Sequence, residues 1–193
     1  MVKQYIYIFR HGQTDFNRNN KFTGLVDSRL TKTGKDDAKI IAIRLKDKKF
    51  QIAFCTSLSR SKKTLKEVLK YHEECKRIIE DDRMLERKYG KLQGKTHFQV
   101  VKRYGSAKYD AWHRGFDTRP PEGESFADVE RRVYLFIKDL INFMKKNKVN
   151  VAISAHGNSI RLFRKIMEKQ SEKNAVEWFI PYDNYYQYSV LTY

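Results

Sequence analysis

The chain has 193 residues, of which 40% are hydrophobic, 33% charged and only 3 proline, which excludes a disordered polymer and suits one folded domain with a small lid. Lysine and arginine number 40 against 23 aspartates and glutamates, a net charge of +17 that points to an anionic metabolite, to nucleic acid or to adaptation to the cell interior. Cys55 and Cys75 are too few for a disulfide framework and lack zinc-type spacing.

The N-terminus lacks a signal-peptide pattern, and no run approaches the ~18 apolar residues of a membrane span, so a soluble cytoplasmic protein is expected. Tyr5 to Phe9 read as a first strand, with Arg10 and His11 at its carboxyl end, where parallel α/β sheets place ligands. A polar loop follows. Thr33 and Asp36 have capping-box spacing, and Ala38, Ile41, Ala42 and Leu45 mark one face of a helix. "FQIAFCTS" reads as a second strand with Cys55 as a small buried hydrophobe, and "LSRSKKTLKEVLKYH" as a helix capped by Ser57 or Ser59. Residues 79 to 121 look irregular and lid-like, within a region extending to about 123.

From Ser125, with Asp128 at capping-box spacing, a long amphipathic helix carries Phe126, Val129, Val133, Phe136, Ile137, Leu140 and Met144 on one face. Lys145, Lys146 and Lys148 complement the carbonyl end of that helix. Val149 to Ala155 then repeats the opening design, an apolar strand running out into His156 and Gly157. Strands alternating with helices predict an α/β three-layer sandwich with a mainly parallel central sheet, formed by the single domain 1–193. In such a sheet neighbouring strand ends bring His11 and His156 together.

Arg10, His11, Arg60, His156 and Glu86 form a set with a definite chemistry. A neutral imidazole attacks phosphorus, arginine forks meet the charge on the phosphoryl oxygens, and a carboxyl group exchanges a proton with the leaving oxygen. With that much positive charge from side chains, no metal is required. Taken singly, each residue also fits an ordinary structural role: a hydrogen-bonded loop histidine, a solvated basic helix start, a surface carboxylate.

The motifs "RHGQTDFN", "FTGLVDSRLTKTG", "TSLSRSKKT", "LERKYGKLQG", "GESFADVERRV" and "SAHGNSIR", in this order over nearly the whole length, resemble the histidine phosphatase superfamily, closest to its 2,3-bisphosphoglycerate-dependent phosphoglycerate mutases. The resemblance implies His11 as phosphoryl acceptor, His156 as its companion, Arg10 and Arg60 gripping phosphate with Asn17, and Glu86 as proton donor. It implies substrate contacts at Thr23, Gly24, Tyr89, His97, His113, Arg114, Gly157 and Asn158, a phosphoglycerate mutase-like fold, and priming by 2,3-bisphosphoglycerate without metal. "FTG", the tyrosine of "ERKYG" and the asparagine of "HGNSIR" look mutase-like.

Three departures point towards a phosphatase that hydrolyses a small phosphomonoester. His97 stands where such mutases have lysine, and His113 where they have the first of two arginines, with Lys91, Lys95 and Lys102 as candidate replacements for the lost charge. The segment after "TRPPEG" lacks a long insertion, and the end at Tyr193 leaves little room for a closing tail. The expected partner is a small phosphorylated metabolite. Lysine-rich runs such as "KRYGSAKYDAWHRG" attract phosphate esters without any nucleic-acid module, so no specific nucleic-acid partner and no membrane are expected. Such mutases are commonly dimers or tetramers, and the shortened segments fit a monomer or a small homodimer.

Overall fold

A computed structural model describes residues 2–192, with the strands β1 (Val2–Arg10), β2 (Ile52–Cys55), β3 (Arg77–Glu80), β4 (Val151–Ala155) and β5 (Tyr185–Thr192). They form one sheet in the order β3-β2-β4-β1-β5, parallel throughout except for the antiparallel β1–β5 pair. Beside them run α1 (Asp15–Arg18), α2 (Lys32–Leu45), α3 (Ser59–Val68), α4 (His97–Tyr104), α5 (Ser106–Arg114), α6 (Phe126–Asn147), α7 (Gly157–Glu168) and α8 (Glu172–Glu177).

The alternation of β1 divides the core. Ile6 and Ile8 pack with Val129, Val133 and Phe136 of α6 and with Ile160 and Phe163 of α7. Tyr7 and Phe9 face the other way, onto Ile41 and Leu45 of α2 and Leu65 and Val68 of α3. The sheet is therefore the middle layer of an α/β/α sandwich, as the sequence pattern predicts. A smaller cluster of Phe22, Tyr89, Leu92 and Val100 lies among Tyr104, Tyr109 and Trp112.

Local expectations fare unevenly. Ser125 and Asp128 form the anticipated capping box, and Cys55 is buried. α2 starts two residues early, capped by Thr31, whose hydroxyl accepts from Gly34 N–H at 2.9 Å; Thr33 lies inside the helix. Neither Ser57 nor Ser59 caps α3, where Leu58 holds the cap position without a side-chain bond. The hydroxyl and N–H of Ser59 instead donate to Asp27, at 2.9 and 3.0 Å. β4 begins at Val151 rather than Val149. The supposedly irregular middle overlaps the end of β3 and contains α4 and α5.

Candidate active site

Register places the two histidines. Arg10 of β1 pairs with Ala155 of β4, and His11 N–H continues the ladder to Ala155 O at 3.0 Å. The next residue on each strand is then His11 and His156, whose rings lie 5.0 Å apart. The Nδ1 atom of His11 is 2.8 Å from Gly12 O. A carbonyl can only accept, so Nδ1 carries the proton and Nε2 keeps the lone pair. Arg60 Nε–H donates to that lone pair at 3.2 Å. Burial, followed by the charges of Arg60 and Arg10, holds His11 well below the ordinary imidazole range. His156, bonded through Nε2 to Thr56 Oγ1 at 2.8 Å, is held low by burial, Arg60 and His11.

Arg60 is fully buried, and its two terminal nitrogens donate to Gly24 O and Val26 O, each at 2.8 Å. Burial lowers it to about 10. In this arrangement Arg60 fixes the His11 ring and the 24–26 loop together. Arg10 donates from Nη1 to Ile180 O at 2.9 Å and lies 4.0 Å over the Tyr182 ring. Asn17 Oδ1 accepts from Thr14 N–H at 3.1 Å, closing the capping box of α1. Glu86 is buried, with Oε1 accepting from Arg87 N–H at 2.8 Å and Asn158 N–H at 3.1 Å. The Asn158 amide donates to Tyr89 Oη at 3.1 Å.

A cavity of about 160 Å³ opens here, lined by Arg10, Asn17, Thr23, Gly24, Glu86, Tyr89, His113, Gly157 and Asn158, together with Phe22, Arg161 and Ile180. Of the expected site residues, His11, Arg60 and His156 are buried and do not line it, and His97 and Arg114 also stand off its wall. His97 lies on Phe22, 4.3 Å between rings, and bonds Tyr109 Oη at 2.8 Å, while Arg114 donates to Val176 O at 2.6 Å. Burial, Arg114 and His97 bring His113 down to about 3, so it presents a neutral ring. Lys91, Lys95 and Lys102 do not replace the missing charge: none lines the cavity, Lys91 pairs with Glu122 at 2.8 Å, Lys95 donates to Lys91 O, and Lys102 is exposed.

The arginines in the cavity wall are Arg10 and Arg161, while Arg87 lies buried beside it without lining it. Arg161, three residues after Asn158 and so on the same face of α7, donates to Asn158 Oδ1 and Trp178 O, both at 2.7 Å. Arg87, next to Glu86, is fully buried against the faces of Tyr89 and Phe126 and donates to Trp112 O. Arg10 Nε, Thr23 Oγ1, His156 Nδ1 and Arg87 Nε and Nη1 are buried without a hydrogen-bond partner among the described residues. Arg10 and Thr23 line the cavity, where unpaired donors suit an anionic group.

Residues 6–193 match the model of the histidine phosphatase superfamily, branch 1. The chain belongs to that superfamily. It is 38% identical to the 2,3-bisphosphoglycerate-dependent phosphoglycerate mutase of Cytophaga hutchinsonii over 88% of its length and 79% of that relative's. It is also 38% identical to the phosphoglycerate mutase of Schizosaccharomyces pombe, over 81% and 75% of the two chains. Among solved structures, a mycobacterial glucosyl-3-phosphoglycerate phosphatase superposes with a TM-score of 0.77 at 25% identity, covering 91% of this chain and 84% of that one.

Proposed function

We propose that this histidine phosphatase superfamily member is a phosphoglycerate mutase, interconverting 3-phosphoglycerate and 2-phosphoglycerate through a phosphohistidine at His11. The observation that carries the reading is the pairing of a proton-free His11 Nε2 with arginines whose donors end on neutral oxygens. Arg10 and Arg161, both in the cavity wall, donate to Ile180 O, and to Trp178 O with Asn158 Oδ1. Their charge is left for an anion, and an ester with a second anionic end uses both groups of residues.

His11 Nε2 attacks phosphorus while the bond to the ester oxygen breaks, and Glu86 gives that oxygen a proton. Backbone donors hold Glu86 Oε1, which leaves Oε2 for the proton exchange. Arg10 and His156 meet the charge on the equatorial oxygens. A dianion beside His156 favours its protonated form, so its neutral resting state becomes a donor when needed. The reverse sequence returns the phosphoryl group to the other hydroxyl, with Glu86 taking the proton back. When bound, 2,3-bisphosphoglycerate supplies the phosphoryl group that primes His11; Arg10, Asn17, Thr23 and Arg161 would hold it. No residue role here calls for a metal.

Hydrolysis is the second reading, favoured by the neutral His113 ring in the cavity wall. Phosphorus NMR of 3-phosphoglycerate, with and without a trace of 2,3-bisphosphoglycerate, separates the two. The mutase reading expects bisphosphate-dependent 2-phosphoglycerate to outpace inorganic phosphate, and His11→Ala to abolish it. Inorganic phosphate as the sole product would replace it with the phosphatase reading.

A further inference from the structure

Three arginines around the site arrive from three different elements, yet one short segment holds them all. Arg114 at the end of α5 donates to Val176 O at 2.6 Å. Arg161 of α7 donates through Nε to Trp178 O at 2.7 Å. Arg10, the last residue of β1, donates to Ile180 O at 2.9 Å. The acceptors fall at every second residue, where chain leaving a helix presents its carbonyls to one side. α8 ends at Glu177, so Val176 O is also a last-turn carbonyl with no helical partner to claim it.

The segment is itself well fixed. Val176 and Ile180 are buried in the main core, and the Trp178 ring lies 4.0 Å beneath Arg164, which is paired with Glu168 at 3.0 Å. Two residues beyond Ile180, the Tyr182 ring covers Arg10 at 4.0 Å and lies 6.5 Å from the His11 ring. A Cβ at Gly157 would come 3.3 Å from Arg10 Cζ. Arg10 is thus confined by a carbonyl at one end, a ring on one side and the start of α7. Its buried Nε has no hydrogen-bond partner among the described residues.

We propose that residues 176–182 form a strap that sets the three guanidiniums, and that Tyr182 is a positioning residue aiming Arg10 at the phosphoryl group on its way to His11. The inference rests on the phosphoryl-transfer reading. A flat aromatic face holds a guanidinium in plane, which an aliphatic side chain of similar bulk does not do. Misaiming Arg10 weakens its grip most where charge spreads over the equatorial oxygens, in the transition state.

The test compares Tyr182→Phe, Tyr182→Leu and Tyr182→Ala for single-turnover phosphorylation of His11 by 2,3-bisphosphoglycerate and for orthovanadate affinity. The Phe variant is expected within about twofold of the wild type in both. Leu and Ala are expected to lose about tenfold in both, with Leu melting close to the wild type. Wild-type behaviour of the Leu variant would reduce Tyr182 to a filler. A Phe variant as slow as Ala would move the role to the hydroxyl; either result overturns the proposal. If the wild type forms no phosphohistidine, the mutase reading fails, while the vanadate series still decides whether the ring positions Arg10.

Discussion

The His11 ring is held by one bond on each side. Gly12 O takes the Nδ1 proton, and Arg60 meets the Nε2 lone pair from a guanidinium that also holds two loop carbonyls. Protonating His11 would set an N–H at Nε2 against the Arg60 donor and add a positive charge to a buried site that already contains Arg60 and Arg10. The consequence is a base that stays available in mild acid. The acid limb of kcat/KM for phosphorylation of the free enzyme is therefore expected well below pH 6.5, the ordinary histidine midpoint. A limb at 6.5 or above would assign the titration to a solvated group instead. Arg60→Lys should serve poorly, since an ammonium cannot reach His11, Gly24 O and Val26 O with a planar fork.

At the scale of elements, the loop after β1 is wedged against the first turn of α2. An added Cβ at Gly34 would come 1.9 Å from Gln13 O, and one at Gly12 would come 2.0 Å from Gly34 O. Alanine inside a helix normally gains about 1 kcal/mol over glycine, but overpacking against backbone costs about 3 kcal/mol. The clash wins. Gly34→Ala is expected to lose about 2 kcal/mol in urea unfolding and, by displacing the Gly12–Gln13 backbone, to slow phosphorylation of His11 as well. A stabilised variant would show that the loop yields freely.

Elements and residues were legible in the sequence where burial is strong and periodic. Ile6 to Phe9, the face of α6 and the run Val151–Ala155 all feed the main clusters, and the two histidines follow from those strands by register. α4 and α5 carry little sequence signal because they are short: α4 buries only Val100, and α5 buries no residue completely. β3 is an edge strand that leaves Ile78 56% exposed, so it carries little apolar signal. Caps failed where the acceptor comes from elsewhere, as Asp27 does for Ser59. The arginine strap was illegible for a simpler reason: its acceptors are backbone carbonyls, which no side-chain motif records.

For the whole molecule, the same burial that readies the site makes the fold sensitive to acid. Of the 5 histidines, His11, His97, His113 and His156 all have lowered values, with burial as the first cause of each. The unfolded chain binds protons at these positions from about pH 6.5 downward, whereas the folded chain does not until lower pH. Stability therefore falls as pH falls through that window, by at most about 1.4 kcal/mol per pH unit for each buried neutral ring. Net charge of +17 pushes the same way, because each carboxylate protonated at low pH adds to self-repulsion. Salt distinguishes the two contributions, since it screens dispersed surface charge and leaves buried titration largely unchanged. Urea midpoints measured from pH 7 to 5.5 in moderate salt are expected to decline, and the variant His97→Asn with His113→Asn should decline less steeply, by about a third. An unchanged slope in that variant would place the acid sensitivity in His11 and His156 or in the surface charge, and high salt would abolish only the second.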